Sequence, residues 1–376
     1  MMAMRIVADE NMPLVPEFFG ALAEIRRLPG RDIRAADVAA ADALLVRSVT
    51  RVDAALLEGS ALRFVGTATI GTDHLDLPAL AARGITVASA PGCNARAVGE
   101  YVATVLASLA EEQGWTPAQR TLGIVGLGNT GRQVLALART LGFTVLACDP
   151  FVTEPEAGVE LVTRETLLQR ADILSLHVPL TRDGPHATRH WLDAGALAGM
   201  RASLLINASR GAVVDNAALE AELRRRPQAL TAVLDVWEGE PQLRASLLPL
   251  LRYGSPHVAG YSQEGKWRGT AMIHQAFCRH FGLPATASLA QLQPVVELPL
   301  LQAVQPGLAA LLQQACPLPR DDQALRASLQ AVDPAQAFDA LRKHYPPRHE
   351  FTAWRMRLPA GDVRGAVLAA LGFRLA

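Results

Sequence analysis

The chain has 376 residues, half of them hydrophobic, and a formal net charge of zero. That is enough apolar material for two or three domains, and it gives neither nucleic acid nor a membrane surface a charged face to bind. Cys93, Cys148, Cys278 and Cys316 stand far apart without a C-x-x-C pair, which argues against a disulfide framework or metal site and fits a reducing cytoplasm.

From Met4-Arg5 the chain runs directly into a short strand, Arg5–Ala8, with no signal-peptide core. A helix entered at Pro13 follows. Further strands are expected at Ala43–Val46, Phe64–Gly66 and Ile85–Ala88, with helical runs around Ala54–Glu58 and Pro78–Ala82. Such alternation predicts a parallel sheet covered on both faces. Asn94 is placed to cap a long helix through Glu112, which Gly114 ends. No long repeat, low-complexity segment or apolar run of ~20 residues interrupts the pattern.

The stretch Leu122–Asp149 is the most informative. Strand residues Leu122–Val125 lead into Gly126, Gly128 and Gly131 in the G-x-G-x-x-G spacing, then a helix starting near Asn129, and then a strand, Phe143–Cys148. Gly126 permits the tight turn, Gly128 lets a pyrophosphate approach the backbone, and Gly131 lets the helix pack on the sheet. The helix N-terminus faces the phosphates with unpaired N–H groups and a positive dipole end. Asp149, eighteen residues after Gly131, can accept hydrogen bonds from both adenosine ribose hydroxyls and would repel the extra phosphate of NADP. NAD is therefore the expected cofactor.

Strands Ile173–His177, Leu204–Asn207, Ala232–Asp235 and a short run before His257 continue this domain. Three polar clusters follow their carboxyl ends, where open parallel sheets bind ligands: Asn207-Ala208-Ser209-Arg210-Gly211, Asp235-Val236-Trp237-Glu238-Gly239-Glu240-Pro241 and Ser255-Pro256-His257. Asp215 can cap the helix after the first. Oxidising a 2-hydroxy acid needs a guanidinium to clamp the carboxylate, a base for the hydroxyl proton and a carboxylate to orient that base. Arg210, His257 and Glu240 supply these groups. Taken singly, an Arg in an Arg-rich chain, a His after Ser-Pro and a Glu before Pro are ordinary loop residues. Their joint placement beside the glycine motif gives them weight.

Together, Gly-Leu-Gly-Asn-Thr-Gly, Asn-Ala-Ser-Arg-Gly, Asp-Val-Trp-Glu-Gly-Glu-Pro and Ser-Pro-His resemble the D-isomer-specific 2-hydroxyacid dehydrogenases over roughly residues 5–283. The resemblance implies that Arg210 binds the substrate carboxylate, that His257 is the proton acceptor or donor, and that Glu240 is its partner. It places Asp235 and Gly260 near the nicotinamide amide and His177-Val178-Pro179-Leu180 along the adenosine. The implied cofactor set is Gly126, Gly128, Asn129, Thr130, Gly131, Asp149, Val178, Ala208, Ser209, Asp235 and Gly260. The loops at Ser48 and Thr69, the run Gly260-Tyr261-Ser262 and the C-terminal extension narrow the resemblance. They point to members that oxidise a phosphorylated hydroxy acid in vitamin B6 synthesis, where matching Ser, Thr and Tyr residues contact substrate, so Ser48, Thr69 and Tyr261 are implicated. Val178 departs from the Thr associated with its position. Arg47, Arg51 and Arg96, with Arg348 further on, are cations available to a phosphate.

The implied fold class is α/β: two doubly wound parallel-sheet domains, a flavodoxin-like substrate domain and a Rossmann NAD domain, plus a small α+β C-terminal domain. A helix over Lys266–Phe281 would return to the first domain and make it discontinuous. The expected boundaries are 1–93 with 258–283, 94–257 and 284–376. Pro284, Pro294 and Pro299 mark a linker. Helices near Gln323–Ala331, Pro334–His344 and Val363–Leu371 and a strand Glu350–Leu358 follow it, with Leu325, Leu329, Phe338, Leu341 and Trp354 available for a homodimer interface. Two other functions stay open. One is phosphoglycerate dehydrogenase, whose usual βαββαβ regulatory domain is not visible here; the other is a non-catalytic NAD-sensing scaffold on the same fold.

Overall fold

The computed structural model describes residues 4–292, 300–302, 307–359 and 361–375, so Pro294 and Pro299 lie outside the described residues. The chain divides into two compact units, residues 1–94 with 262–297 and residues 95–261 with 298–376.

The first unit is built on a five-stranded parallel sheet. Its strands are β1 (Met4–Asp9), β2 (Ala23–Leu28), β3 (Ala43–Val46), β4 (Phe64–Thr67) and β5 (Thr86–Ala88), in the order β2-β1-β3-β4-β5. Both faces are buried, as the near-continuous apolar strands require. Ala43 and Leu45 join a core with Phe18, Phe19 and Phe277, while Leu44 and Val46 face Leu57 and Leu80. The helix Gln263–Phe281 covers the first face. A Cβ on Gly66 would lie 2.4 Å from Ile273 Cγ2, so only glycine lets helix and sheet approach this closely.

Three local expectations are corrected here. Residues 54–58 form turns and not a continuous helix, although Asp53 accepts the Leu56 N–H (3.1 Å) as a helix N-cap would. Asn94 does not cap the following helix through its side-chain oxygen, since Oδ1 is buried without a hydrogen-bond partner. Edge strand β2 had no apolar signature, because Glu24, Arg26 and Arg27 turn toward solvent along it.

The second unit carries a seven-stranded parallel sheet. Its strands are β6 (Thr121–Val125), β7 (Thr144–Cys148), β8 (Glu160–Leu161), β9 (Ile173–Leu176), β10 (Leu204–Asn207), β11 (Thr231–Leu234) and β12 (Tyr253–Gly254), in the order β12-β11-β10-β9-β6-β7-β8. Strand order reverses between β6 and β9, which makes the loop after β6 the topological switch point. The helices Ala95–Gln113 and Asn129–Leu141 cover one face.

The C-terminal segment is built into this unit. Leu311, Leu312, Phe351, Leu368 and Leu371 enter the same core as those two helices, and Leu325 and Phe338 enter the core on the other face. Leu325 and Phe338, read from sequence as interface residues, are therefore spent within the subunit. The helix Leu318–Ser328 also finishes edge strand β12: Asp322 accepts the Gly254 N–H (2.8 Å), and Arg326 donates to the carbonyls of Leu248 and Leu251 (both 3.0 Å). Within the expected strand Glu350–Leu358, only β14 (Arg355–Arg357) is extended, pairing with β13 (Leu300–Gln302) and β15 (Arg374–Leu375). Phe351–Ala353 is a 3-10 turn that buries Phe351. Among the described residues no helix is long and apolar enough to cross a membrane.

Glu100 joins the helix Ala95–Gln113 to this segment. It is buried, and its Oε1 accepts from Arg96 Nε (2.6 Å) and the Phe351 N–H (3.0 Å), while Arg96 also donates to the Leu371 carbonyl. Burial pushes its carboxyl from the ordinary 4.5 up to about 8, against the pull of Arg96 and with Glu350 adding to the rise. A folded pKa above the unfolded one means the native state holds the extra proton, so stability falls as pH rises through that interval. Thermal unfolding at pH 5 and pH 8 tests this. Glu100→Gln is expected to lose less stability than wild type between those two values, and an identical loss in both proteins would refute it.

Candidate active site

The functional loops all leave the carboxyl edge of the second sheet. At the switch point Gly126 has φ +88°, and a side chain there would meet the His177 carbonyl and the Val178 methyls. A Cβ on Gly131 would lie 2.0 Å from the Gly126 carbonyl oxygen, whereas one on Gly128 would meet nothing within 4 Å. The helix Asn129–Leu141 has no side-chain cap at Gly128. An open backbone, a close-packed third glycine and an uncapped helix start fit a pyrophosphate. Asp149 has a structural task as well: its Oδ2 accepts the Leu127 N–H (2.7 Å) and its Oδ1 the Phe151 N–H (2.9 Å), so it shapes the glycine loop. Val178 packs beside Gly126 and offers only an apolar surface. His177 is buried, bonded to Ser175 Oγ (2.8 Å), and burial pushes its imidazole down to about 3, so it is neutral at physiological pH.

The catalytic turn is organised from beneath by Asp235. Its carboxylate is buried at the end of β11 and accepts from Ser255 Oγ (2.6 Å), the Val258 N–H (2.8 Å) and the Ala259 N–H (3.0 Å). Tyr101 adds its hydroxyl to Ser255 at 2.9 Å, and the His257 N–H donates to the Asp235 carbonyl (2.7 Å). These bonds hold His257 at φ +57°, a left-handed conformation costing about 1–2 kcal/mol for a residue with a Cβ. Hydrogen bonds to a charged group contribute about 1.5–3 kcal/mol each and outweigh that cost. Burial raises the Asp235 carboxyl, while the nearby His257 and the bonds from Ser255, Val258 and Ala259 oppose the rise. Asp235 thus faces inward and builds the turn that the resemblance placed beside the nicotinamide.

Raised in this way, the His257 imidazole meets Glu240, with Nδ1 2.8 Å from Oε2. The Trp237 N–H fixes the other carboxylate oxygen at 2.7 Å. Burial works to raise the Glu240 carboxyl, but His257, Arg342 and the Trp237 N–H outweigh it and hold it below its usual range. An ionised Glu240 bonded at Nδ1 orients the ring and keeps its own contact off Nε2, an arrangement suited to proton transfer at that atom.

Arg210 follows β10 on the neighbouring loop. Buried Asn207 shapes that loop, accepting from Ser209 Oγ (2.8 Å) and the Ser209 N–H (3.1 Å) and donating to the Arg210 carbonyl (3.0 Å). The Ser209 hydroxyl is therefore committed inward, and half-buried Ala208 brings no polar side chain. Gly211 explains why glycine follows the arginine: a Cβ there would lie 1.9 Å from the Trp237 carbonyl carbon, so the Arg210 loop rests directly on the Glu240 loop. Asp215 caps the next helix, accepting from Ala217 and Ala218 (both 3.0 Å).

In the first unit, Ser48 and Thr69 follow adjacent strands β3 and β4 at their carboxyl ends. Exposed Ser48 lines a cavity of about 410 Å³ with Arg51, Asp73 and His74. The Thr69 hydroxyl turns away, donating to the Gly71 carbonyl (2.8 Å) and lying 2.6 Å from Thr67 Oγ1, which in turn meets His74 Nε2 at 2.9 Å. Two of the cations expected for a phosphate are engaged elsewhere. Arg96 holds Glu100 and the Leu371 carbonyl, and buried Arg348 donates to the carbonyls of Ala259 and Ala97 (3.4 Å to the latter). Arg342 carried no signal in the sequence, because the contacts that define it lie in distant segments.

Residues 95–259 match the family described as D-isomer specific 2-hydroxyacid dehydrogenase, NAD binding domain, and residues 294–372 match a domain of unknown function (DUF3410). The chain is 53% identical over 363 residues to the erythronate-4-phosphate dehydrogenase of Azotobacter vinelandii, covering 94% of this chain and 95% of the relative. It is 51% identical to the protein of that name from Ectopseudomonas mendocina, covering 98% and 99%. The crystal structure of D-lactate dehydrogenase from Aquifex aeolicus, complexed with NAD and lactic acid, shares the fold with a TM-score of 0.62. Its identity is 22%, over 74% of this chain and 96% of that one. Nucleotide loop, catalytic turn and full-length relatives agree: the chain belongs to the D-isomer-specific 2-hydroxyacid dehydrogenase family, in its erythronate-4-phosphate dehydrogenase branch.

Proposed function

We propose that this chain oxidises 4-phospho-D-erythronate with NAD to (R)-3-hydroxy-2-oxo-4-phosphooxybutanoate, a step toward the vitamin B6 coenzyme, as a cytoplasmic homodimer. The observation that carries the chemistry is the His257–Glu240 pair, held at 2.8 Å on the sheet edge that also bears the glycine loop and Arg210. The names of the full-length relatives supply the substrate.

NAD, when bound, supplies the acceptor for the hydride that leaves C2. The open backbone at Gly128 and the helix start at Asn129 and Thr130 would hold its pyrophosphate, and Asp149 its adenosine ribose. Val178, Ala208, Ser209, Asp235 and Gly260 are assigned to the walls of that site. Arg210 clamps the substrate carboxylate with a planar pair of hydrogen bonds, which fixes the reacting carbon. His257 Nε2 takes the hydroxyl proton as the hydride departs, and the ionised Glu240 stabilises the resulting imidazolium. Products are the 2-oxo acid, NADH and one proton left on His257 for release. Ser48, Thr69 and Tyr261 are assigned to the substrate.

NADH absorbance with 4-phosphoerythronate, unphosphorylated erythronate, lactate and 3-phosphoglycerate tests the substrate. A site built around a polar group typically rejects the analogue lacking it by roughly ten-thousand-fold. Turnover of 4-phosphoerythronate is expected, with the unphosphorylated acids near background and Ser48→Ala impaired. Equal rates on erythronate and its phosphate would end the phosphate assignment, and preference for 3-phosphoglycerate would replace it. In the same assay His257→Ala should bind NADH yet not turn over.

Cofactor choice is assigned to Asp149. Asp149→Ala is expected to weaken NAD while relieving repulsion of the NADP phosphate, so the ratio of kcat/KM for the two cofactors moves toward NADP. An unmoved ratio sinks the assignment.

The dimer is inferred from exposed Val332, Val363 and Leu375 on the C-terminal segment. Deleting that segment would open the nucleotide-binding core, so the intact chain is the proper sample. Light scattering across a concentration series should return twice the 40.1 kDa chain mass, and a monomer throughout would refute the dimer.

A further inference from the structure

The helix Pro334–Lys343 lies outside every motif that carries the chemistry, yet the charge of Arg342 in its last turn acts on Glu240. Arg342 sits in its last turn, with its guanidinium 5.9 Å from the Phe338 ring. Its side chain hydrogen-bonds Tyr261, and the carboxylates that act on it are those of Glu240 and Asp339. Its Nε is buried and has no acceptor among the described residues. Tyr261 is seated from a second side: its ring stands edge-on to Tyr345 at 5.9 Å, and the Tyr345 hydroxyl donates to Asp321 (2.6 Å).

We propose that Arg342 is a positioning residue for the oxidation assigned above, anchoring the Tyr261 phenol and setting a fixed cation beside the Glu240 carboxylate. Two loops that leave different strands then share one support. Glu240 is faced by His257, Arg342 and the Trp237 N–H. Arg342 in turn faces the Tyr261 hydroxyl and the Glu240 and Asp339 carboxylates, and the two carboxylates favour its charge although burial works against it. With the cation in place, Glu240 stays ionised under the imidazole at mildly acidic pH. Without it, Glu240 takes a proton sooner and the base loses its partner.

The inference rests on the dehydrogenase reading, and two kinds of measurement separate them. Arg342→Gln and Arg342→Lys are compared with wild type by the pH profile of kcat/KM for oxidation and by thermal unfolding. In Arg342→Gln the acid limb is expected about half a pH unit or more higher, with a raised KM for substrate and an unchanged KM for NAD. Arg342→Lys keeps the charge but not the planar geometry, so it should restore the acid limb and leave the substrate KM raised. An acid limb at the wild-type position in the Gln variant overturns the proposal, as does an equal shift in both variants. If Arg342→Gln does not fold, the Lys variant decides: a wild-type limb with raised substrate KM supports the role, and a wild-type KM overturns it. A carbon-13 titration of the Glu240 carboxyl, recorded without substrate, should show a higher midpoint in the Gln variant. That result stands even if no phosphorylated acid is turned over, in which case only the substrate assignment falls.

Discussion

The buried carboxylate of Asp235 is the constraint on which the active-site geometry depends. It sits where β11 ends, and it reaches across to the turn after β12 through Ser255, Val258 and Ala259. A histidine in the left-handed region would not persist in a free loop. Here it is over-determined, and the ring emerges at hydrogen-bonding distance from Glu240. A second constraint ties in the remaining group: Gly211 lets the Arg210 loop lie against the Trp237 peptide, so guanidinium, carboxylate and imidazole hang from one continuous set of contacts.

Support also arrives from the far end of the chain. Asp322 and Arg326 complete the edge at β12 just before the catalytic turn, and Arg348 donates to the carbonyl of Ala259 inside it. Burial opposes the charge on Arg348, yet the nearby Asp321 carboxylate favours it, and a guanidinium keeps its proton at any physiological pH. A buried cation on a backbone carbonyl is a stiff connection, because withdrawing either group leaves the other unsatisfied in a dry interior. The C-terminal segment is therefore part of the scaffold of the site, whatever surface it presents outward.

Much of this was legible in the sequence. The glycine spacing, Asp149, the Asp215 cap and the catalytic groups sit at strand ends, where sheet physics puts ligand sites, and short apolar runs mark those strands clearly. What the sequence withheld has physical reasons. Strand β2 is polar on its outer side and lacks an apolar period. The turn at residues 54–58 has helical composition and even a cap at Asp53, but it is too short to run on as a helix. The inward commitment of Asp235 and Ser209 depends on partners that only the fold brings near. Arg342 went unmarked in a chain whose cations are almost all arginine, and Arg348, expected as a phosphate cation, is spent on buried carbonyls, since contacts and not residue type set the two apart.

The order in which a ribosome delivers these parts gives the C-terminal packing another meaning. The glycine loop, Arg210, Glu240 and His257 have all been made by the time Tyr261 emerges, yet Leu311, Leu312, Phe351, Leu368 and Leu371, which enter the adjoining core, come later. A nascent chain stopped short of them would display an apolar face and an untethered catalytic turn. Such a product is a substrate for chaperones and proteases rather than a half-working enzyme. The motifs of the chemistry and the packing that supports them thus come from opposite stretches of the chain.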